Sequence, residues 1–294
     1  MYVYRPMLSA RTRRLLAALL VLAVSPASAQ AQAQRATSAP AAAEPAPPLA
    51  TYADFAALAE QADVIAVVEV RDQAEVEPER APGLAPGQAR LYIEGRTQAL
   101  LAGRAALGES LSYLADVPRN AKGRAPKLRK QRFIVFADSV PGRPGTLSLV
   151  APGAQVPATP ETEQLARTVI AALAASDAPA VTGIREAMSV AGNLAGESET
   201  QLFLETATGT PVSLTVIRRP GMEPQWGVSW SEIVDQAARP PAPESVEWYR
   251  LACFLPAQLP RDAFLQDDRA ARARAEADYG FILEQLGGCP RIRT

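Results

Sequence analysis

From Thr51 onward the spacing of hydrophobic positions changes several times, and each change marks a new element. Thr51 is a plausible N-cap before Tyr52-Ala-Asp-Phe-Ala-Ala-Leu-Ala-Glu60, where Phe55, Leu58 and Ala59 share a helical face. Val64 to Val70 is a β-branched run suited to a buried strand. A Pro- and Glu-rich loop, Arg71 to Ala89, separates it from a long strand over Arg90 to Leu101, with Gly95 as a bend or bulge. Leu111–Val117, Arg132–Ala137 and Thr146–Val150 complete five strands with no long helix among them, the pattern of a small closed or nearly closed barrel.

After Pro152 the character alters. Thr159-Pro160-Glu161 combines an N-cap, a first-position proline and a first-turn acid, so it opens a helix to about Ala175 with Leu165, Val169 and Leu173 as its stripe. The spacing of Val181, Ile184 and Met188 predicts a second helix near Val181 to Leu194. Four strands are expected at Gln201–Thr206, Val212–Ile217, Gln225–Trp230 and Val246–Cys253, with turns at Thr208–Pro211 and Arg219–Gly221. A last helix, Asp262 to Leu286, stops at Gly287-Gly288. The expected fold is two-domain, β plus α+β. Residues 51–152 form a small OB-like β-barrel, and residues 153–294 form a four-stranded antiparallel sheet with covering helices.

The stretch from Ala62 to Pro152 resembles oligosaccharide/oligonucleotide-binding (OB) barrels of the netrin-like or TIMP-like type. The likeness is carried by Leu100-Leu101-Ala-Gly103, Gly108-Glu-Ser-Leu111 and Phe133-Ile-Val-Phe136. The resemblance implies the barrel fold. It does not imply protease inhibition, because this stretch carries no cysteine to act as the inhibitory N-terminal Cys of TIMPs.

Composition adds an address. Arg11, Arg13 and Arg14 precede the apolar run Leu15–Val24, and Ala27-Ser28-Ala29 offers small residues before Gln30. This order reads as a signal peptide over residues 1–29, cleaved after Ala29, and as a periplasmic or secreted protein. The run is too short to span a bilayer, which takes roughly 20 residues in a helix. Residues 30–50, rich in Ala, Gln and Pro, read as a disordered linker. Residues 1–29 hold four arginines and no acid, so the expected mature chain is acidic, and a nucleic-acid partner is not expected. In an oxidising compartment the only two cysteines, Cys253 and Cys289, are expected to pair.

The chain has no histidine. That removes the Ser-His-acid triad, the Cys-His pair and histidine metal sites, and no G-x-S-x-G elbow or phosphate loop replaces them. No cofactor and no catalytic or metal-binding residue is expected. Carboxylates such as Glu75, Glu77, Glu79, Glu197, Glu199, Asp267 and Asp268 read as solvated charges. The strongest charge feature is a possible anion-binding patch, Arg119, Lys122, Arg124, Lys127, Arg129, Lys130 and Arg132, whose bland alternative is a solvated hairpin loop. Trp226, Trp230 and Trp248 form either an aromatic platform or core plugs. The expected function is a non-enzymatic binding or interaction protein of the bacterial periplasm. A carboxylate-dependent hydrolase and an envelope scaffold are the alternatives, and an envelope protein or an anionic glycan is the expected partner. Oligomeric state is not readable from the sequence.

Overall fold

A computed structural model of the chain describes residues 48–104, 107–231 and 238–293. The expected signal peptide and nearly all of the linker lie outside the described residues. Among the described residues the fold is mostly β, with a six-stranded and a four-stranded antiparallel sheet and four α-helices.

Thr51 caps α1 (Tyr52–Gln61) as its sequence implies: its hydroxyl accepts from Asp54 N, and the Asp54 carboxylate accepts from Thr51 N. The first sheet contains β1 (Val64–Glu75), β2 (Gln88–Gly103), β3 (Ser110–Pro118), β4 (Arg132–Ser139), β5 (Leu147–Leu149) and β6 (Gln155–Pro157). Its order is β3-β2-β1-β4-β5, with β6 also pairing with β4. Beyond these ladders, β3 and β5 meet at one parallel bridge, Ser112 to Thr146. The extra residue of a β1 bulge, Arg71, falls opposite Gly95, where an added Cβ would meet Val68 Cγ1 at 2.4 Å.

The first sheet has two buried faces at its centre. Val64, Ala66, Val68 and Val70 of β1 and Phe133, Val135 and Ala137 of β4 face one cluster, together with Leu91, Ile93, Leu111 and Tyr113. Ile65, Val67, Ile134 and Phe136 face a second cluster, which includes Phe55, Val169, Leu202, Leu214 and Trp248. This explains why β1 and β4 are continuous apolar runs rather than alternating ones. The second cluster joins residues from both halves of the sequence.

Helix α2 (Pro160–Ala175) begins at the Thr159 cap with proline at its first turn, as the sequence predicts. The second sheet is β10-β9-β8-β7, built from β7 (Val181–Ala191), β8 (Ser198–Thr206), β9 (Val212–Arg218) and β10 (Gln225–Ser229). Two expectations are corrected here. The segment expected as a helix at Val181–Leu194 is the edge strand β7. Its register shifts at Val181/Gly183 and Ile184/Glu186 insert residues that spread the buried positions to 181, 184, 187 and 189, so a bulged strand imitates helical spacing. The expected strand Val246–Cys253 is helix α3 (Val246–Ala252), started by Ser245, whose hydroxyl accepts from Trp248 N. The final helix α4 (Arg269–Leu286) starts later than expected, capped by Asp268, and Gly287 ends it at φ 70°. Cys253 and Cys289 form a disulfide that ties the end of α3 to the segment after α4, rather than to a strand. No helix among the described residues is long and apolar enough to cross a membrane.

Candidate functional site

A concavity lies on the first sheet. A cavity of about 650 Å³ is bounded by Arg90 and Tyr92 of β2, Tyr113, Leu114 and Asp116 of β3, and the chain from Val140 to Pro152, which carries β5. Alternation explains its floor. Leu91, Ile93, Leu111, Tyr113 and Ala115 turn inward, so Arg90, Tyr92, Leu114 and Asp116 face outward. Tyr92 and Leu114 are direct cross-strand partners, and they remain 41% and 48% exposed. An exposed aromatic–aliphatic pair in a concave wall is an unusual use of apolar surface, since such pairs stabilise sheets by burial.

The neighbouring cross-strand pair is ionic. Arg90 donates to both oxygens of Asp116, at 2.7 and 2.8 Å, and this hydrogen bonding raises the guanidinium pKa above its ordinary value. Asp116 is therefore already engaged. Arg143, on the β4–β5 loop at the rim, is exposed and has no ionic partner among the described residues. Tyr113, which also lines the cavity, keeps its hydroxyl buried and without a hydrogen-bond partner among the described residues, and burial pushes its pKa well above the ordinary phenol value. A second hollow of about 340 Å³ continues past Tyr92, between Glu94, Ser112 and the Pro144-Gly145 turn. Together they form a groove with apolar walls in which Arg143 and Glu94 have no ionic partner among the described residues.

The sequence-flagged residues fall elsewhere. The loop from Arg119 to Gln131 joins β3 to β4 and is well anchored. Gln73 of β1 accepts from Leu128 N at 2.5 Å and donates to Pro126 O at 2.8 Å, while Asn120 accepts from Lys122 N and Arg124 N. Of the seven cations, Arg119 pairs with Glu75 at 2.5 Å and Arg132 with Glu163 at 2.6 Å. Lys122, Arg124, Lys127, Arg129 and Lys130 are exposed and have no ionic partner among the described residues. Trp226 and Trp248 are core residues, and Trp230 is half-buried against the same cluster.

One polar cluster was not singled out from sequence. Asp278 of α4 is fully buried, accepting from Arg218 Nε at 2.5 Å and from the Thr200 hydroxyl, which also bonds Ser189 at 2.9 Å. Arg218 is thus committed inward. The groove was missed as well, though it left a signal: Tyr92 and Leu114 are apolar residues in the polar phase of their strands. No group of three or more potential metal ligands occurs among the described residues. No protein-family model matches this chain, and no curated protein matches it in sequence.

Proposed function

We propose that this chain is an exported, non-enzymatic binding protein that holds an envelope partner in the groove over β2 and β3. The observation that carries the reading is the exposed Tyr92–Leu114 pair on the groove floor, beside an unpaired Arg143. Asp116, the carboxylate of the larger hollow, is spent on Arg90, which speaks against the facing pair of free carboxylates that glycoside hydrolysis uses.

The first sheet is read as a small OB-like barrel. The order β3-β2-β1-β4-β5 and the return of β5 to β3 through Ser112 and Thr146 support closure. In barrels of that kind, ligands lie across the second and third strands and the loop between the fourth and fifth, where this groove lies. The signal-like segment over residues 1–29 and the oxidised cysteine pair favour an oxidising extracytoplasmic compartment.

An anionic glycan at the 119–132 loop is the second reading, favoured by its five unpaired, exposed cations on an anchored backbone. One experiment separates the two. Envelope extract is cross-linked to wild type, to Tyr92→Ser/Leu114→Ser and to Lys127→Gln/Arg129→Gln/Lys130→Gln. The groove reading expects a partner lost only from the Tyr92/Leu114 variant. A partner, or retention on a sulfated resin, lost only from the lysine–arginine variant assigns binding to the loop instead.

A further inference from the structure

We propose that the 119–132 loop grips a linear polyanion, a chain of repeated carboxylate or phosphate groups, laid along the edge of β1. The proposal rests on the loop reading and is independent of the groove. It adds the class of anion and the way it is held.

The loop is fastened to β1 at three places in turn. Arg119 pairs with Glu75 at 2.5 Å, the Gln73 side chain bonds Pro126 O and Leu128 N, and Lys130 N donates to Val70 O at 2.8 Å. The ladder of β1 with β4 ends at Glu69, so the loop runs back along the edge that remains. From Val70 to Glu75 that edge covers roughly 15 Å at the rise of a β-strand. The unpaired cations come in the same order as the anchors. Lys122 and Arg124 fall between the Glu75 and Gln73 anchors, Lys127 at Gln73, and Arg129 and Lys130 beside Val70. Such an array meets several anionic groups at once, whereas a lone anion would reach only the cations of one turn.

The backbone presents these cations in a fixed way. Leu128 is buried in the cluster under β1, and Ala125 packs against the same cluster. Gly123 N donates to Asn120 O, which puts Lys122 at the corner of one turn. Gln131 N donates to Leu128 O, which puts Arg129 and Lys130 at the corner of another, both bonds being 2.8 Å. Lys130 holds φ 67°, in the left-handed region that favours glycine. A loop that only keeps a sheet edge soluble needs charge, but neither a fixed backbone nor a strained lysine. Strain kept at a charged corner points to a site built for contact, and a fixed backbone lowers the ordering cost of binding.

The acids beside this line are mostly engaged. Glu75 is held by Arg119, Glu163 by Arg132, and Glu69 by Arg71 and Arg96. Asp72 accepts from Gln73 N at 3.0 Å and has no ionic partner among the described residues. Glu77 and Glu79, exposed and likewise unpaired, follow the Glu75 end. The cationic excess is therefore greatest toward Val70, at Lys127, Arg129 and Lys130. Residues 119–132 contain no aromatic side chain, and their one large apolar residue, Leu128, is buried. Contact is thus by charge rather than by ring stacking or an apolar anchor, which selects a ligand by its charge density.

The test uses the purified, disulfide-bonded protein with galacturonate, its trimer and its decamer, and with linear polyphosphate as competitor. Affinity should rise at least tenfold from trimer to decamer, and polyphosphate should compete. For the decamer, log K should fall against log[salt] with a slope of about −3.5, at about 0.7 for each of the five cations. Lys127→Gln/Arg129→Gln/Lys130→Gln should remove about 2 from that slope and weaken binding at least tenfold. Lys130→Gly, which relieves the strained corner, should fold at least as stably as wild type and bind several-fold more weakly. It decides the matter if the triple variant fails to fold, and unchanged affinity there overturns a contact reaching Val70. Equal affinity for galacturonate and the decamer overturns the linear contact in favour of a single-anion site. Failure of polyphosphate to compete overturns recognition by charge alone. Binding to phosphatidylglycerol-containing vesicles but to neither chain overturns the proposal in favour of a membrane surface. A triple variant that binds the decamer as wild type does refutes the loop reading itself.

Discussion

The carboxylate of Asp54, in the first turn of α1, accepts a hydrogen bond at 3.0 Å from the amide of Ile292, 238 positions later in the chain. It also accepts from Arg293 N at 3.0 Å and from Thr51 N at 2.9 Å, while the Thr51 hydroxyl donates to Pro290 O at 2.7 Å. One buried side chain thus caps a helix and fastens the C-terminal tail. The tail fits closely: an added Cβ at Gly153 would meet Arg293 O at 2.2 Å.

Asp54→Ala should therefore cost about 2–4 kcal/mol, since it removes a cap and leaves buried amides without an acceptor. Asp54→Asn keeps one acceptor oxygen and should cost less than half as much. Urea unfolding of the two variants checks the order. Equal losses would show that only the charge mattered.

The disulfide acts on the same tail. Cys289 lies between α4 and the segment held by Asp54, and its bond to Cys253 spans 36 positions. Replacing both cysteines by serine should lower stability by about 3–4 kcal/mol on loop entropy. The penalty of Asp54→Ala should shrink in that background, because the tail is already released. A double-mutant cycle measures the coupling. Protein purified from an oxidising compartment, unfolded without reductant, should also show no maleimide-reactive thiol.

Three tyrosines make the fold sensitive to alkali. Burial raises the pKa of Tyr113 and Tyr279, and burial followed by the nearby Glu60 carboxylate raises that of Tyr249. Their hydroxyls stay protonated in the folded state, while the unfolded chain loses these protons at about pH 10. Above that pH the unfolded state binds fewer protons, so stability falls as pH rises, until the folded-state values are reached. Below about pH 10 this contribution is fully present. In a titration followed at 295 nm, these three should ionise only with unfolding. Tyr113→Phe, which removes a hydroxyl without a partner, should leave stability at pH 7 unchanged or higher and flatten the alkaline slope.

Much of the fold was legible because local signals and long-range packing agree. Thr51 and Thr159-Pro160 start helices where capping chemistry places them. The apolar runs of β1 and β4 are strands buried on both faces. The errors arose where local spacing misleads. The bulges of β7 stretch a period of two toward a helical one, and α3 is a short helix whose start signal is a single serine after a proline-rich stretch. The groove over β2 and β3 was half legible. Tyr92 and Leu114 break the alternation of their strands, but the shortness of β5 leaves the β3 edge open, and no local signal reports that. The Asp54–tail contact and the Arg218–Asp278 pair join distant residues, so spacing could not reveal them.

The open edge can be measured directly in the free protein by residue-resolved amide hydrogen exchange. Alternation along a single strand is expected: the amides of Tyr113 and Ala115, bonded to β2, are protected about 100-fold or more beyond those of Leu114 and Asp116. On the opposite wall, Ser148 and Val150 should be protected and Leu149 should not. Uniform protection along residues 113–116 would contradict it, since the outward amides of β3 would then already be paired.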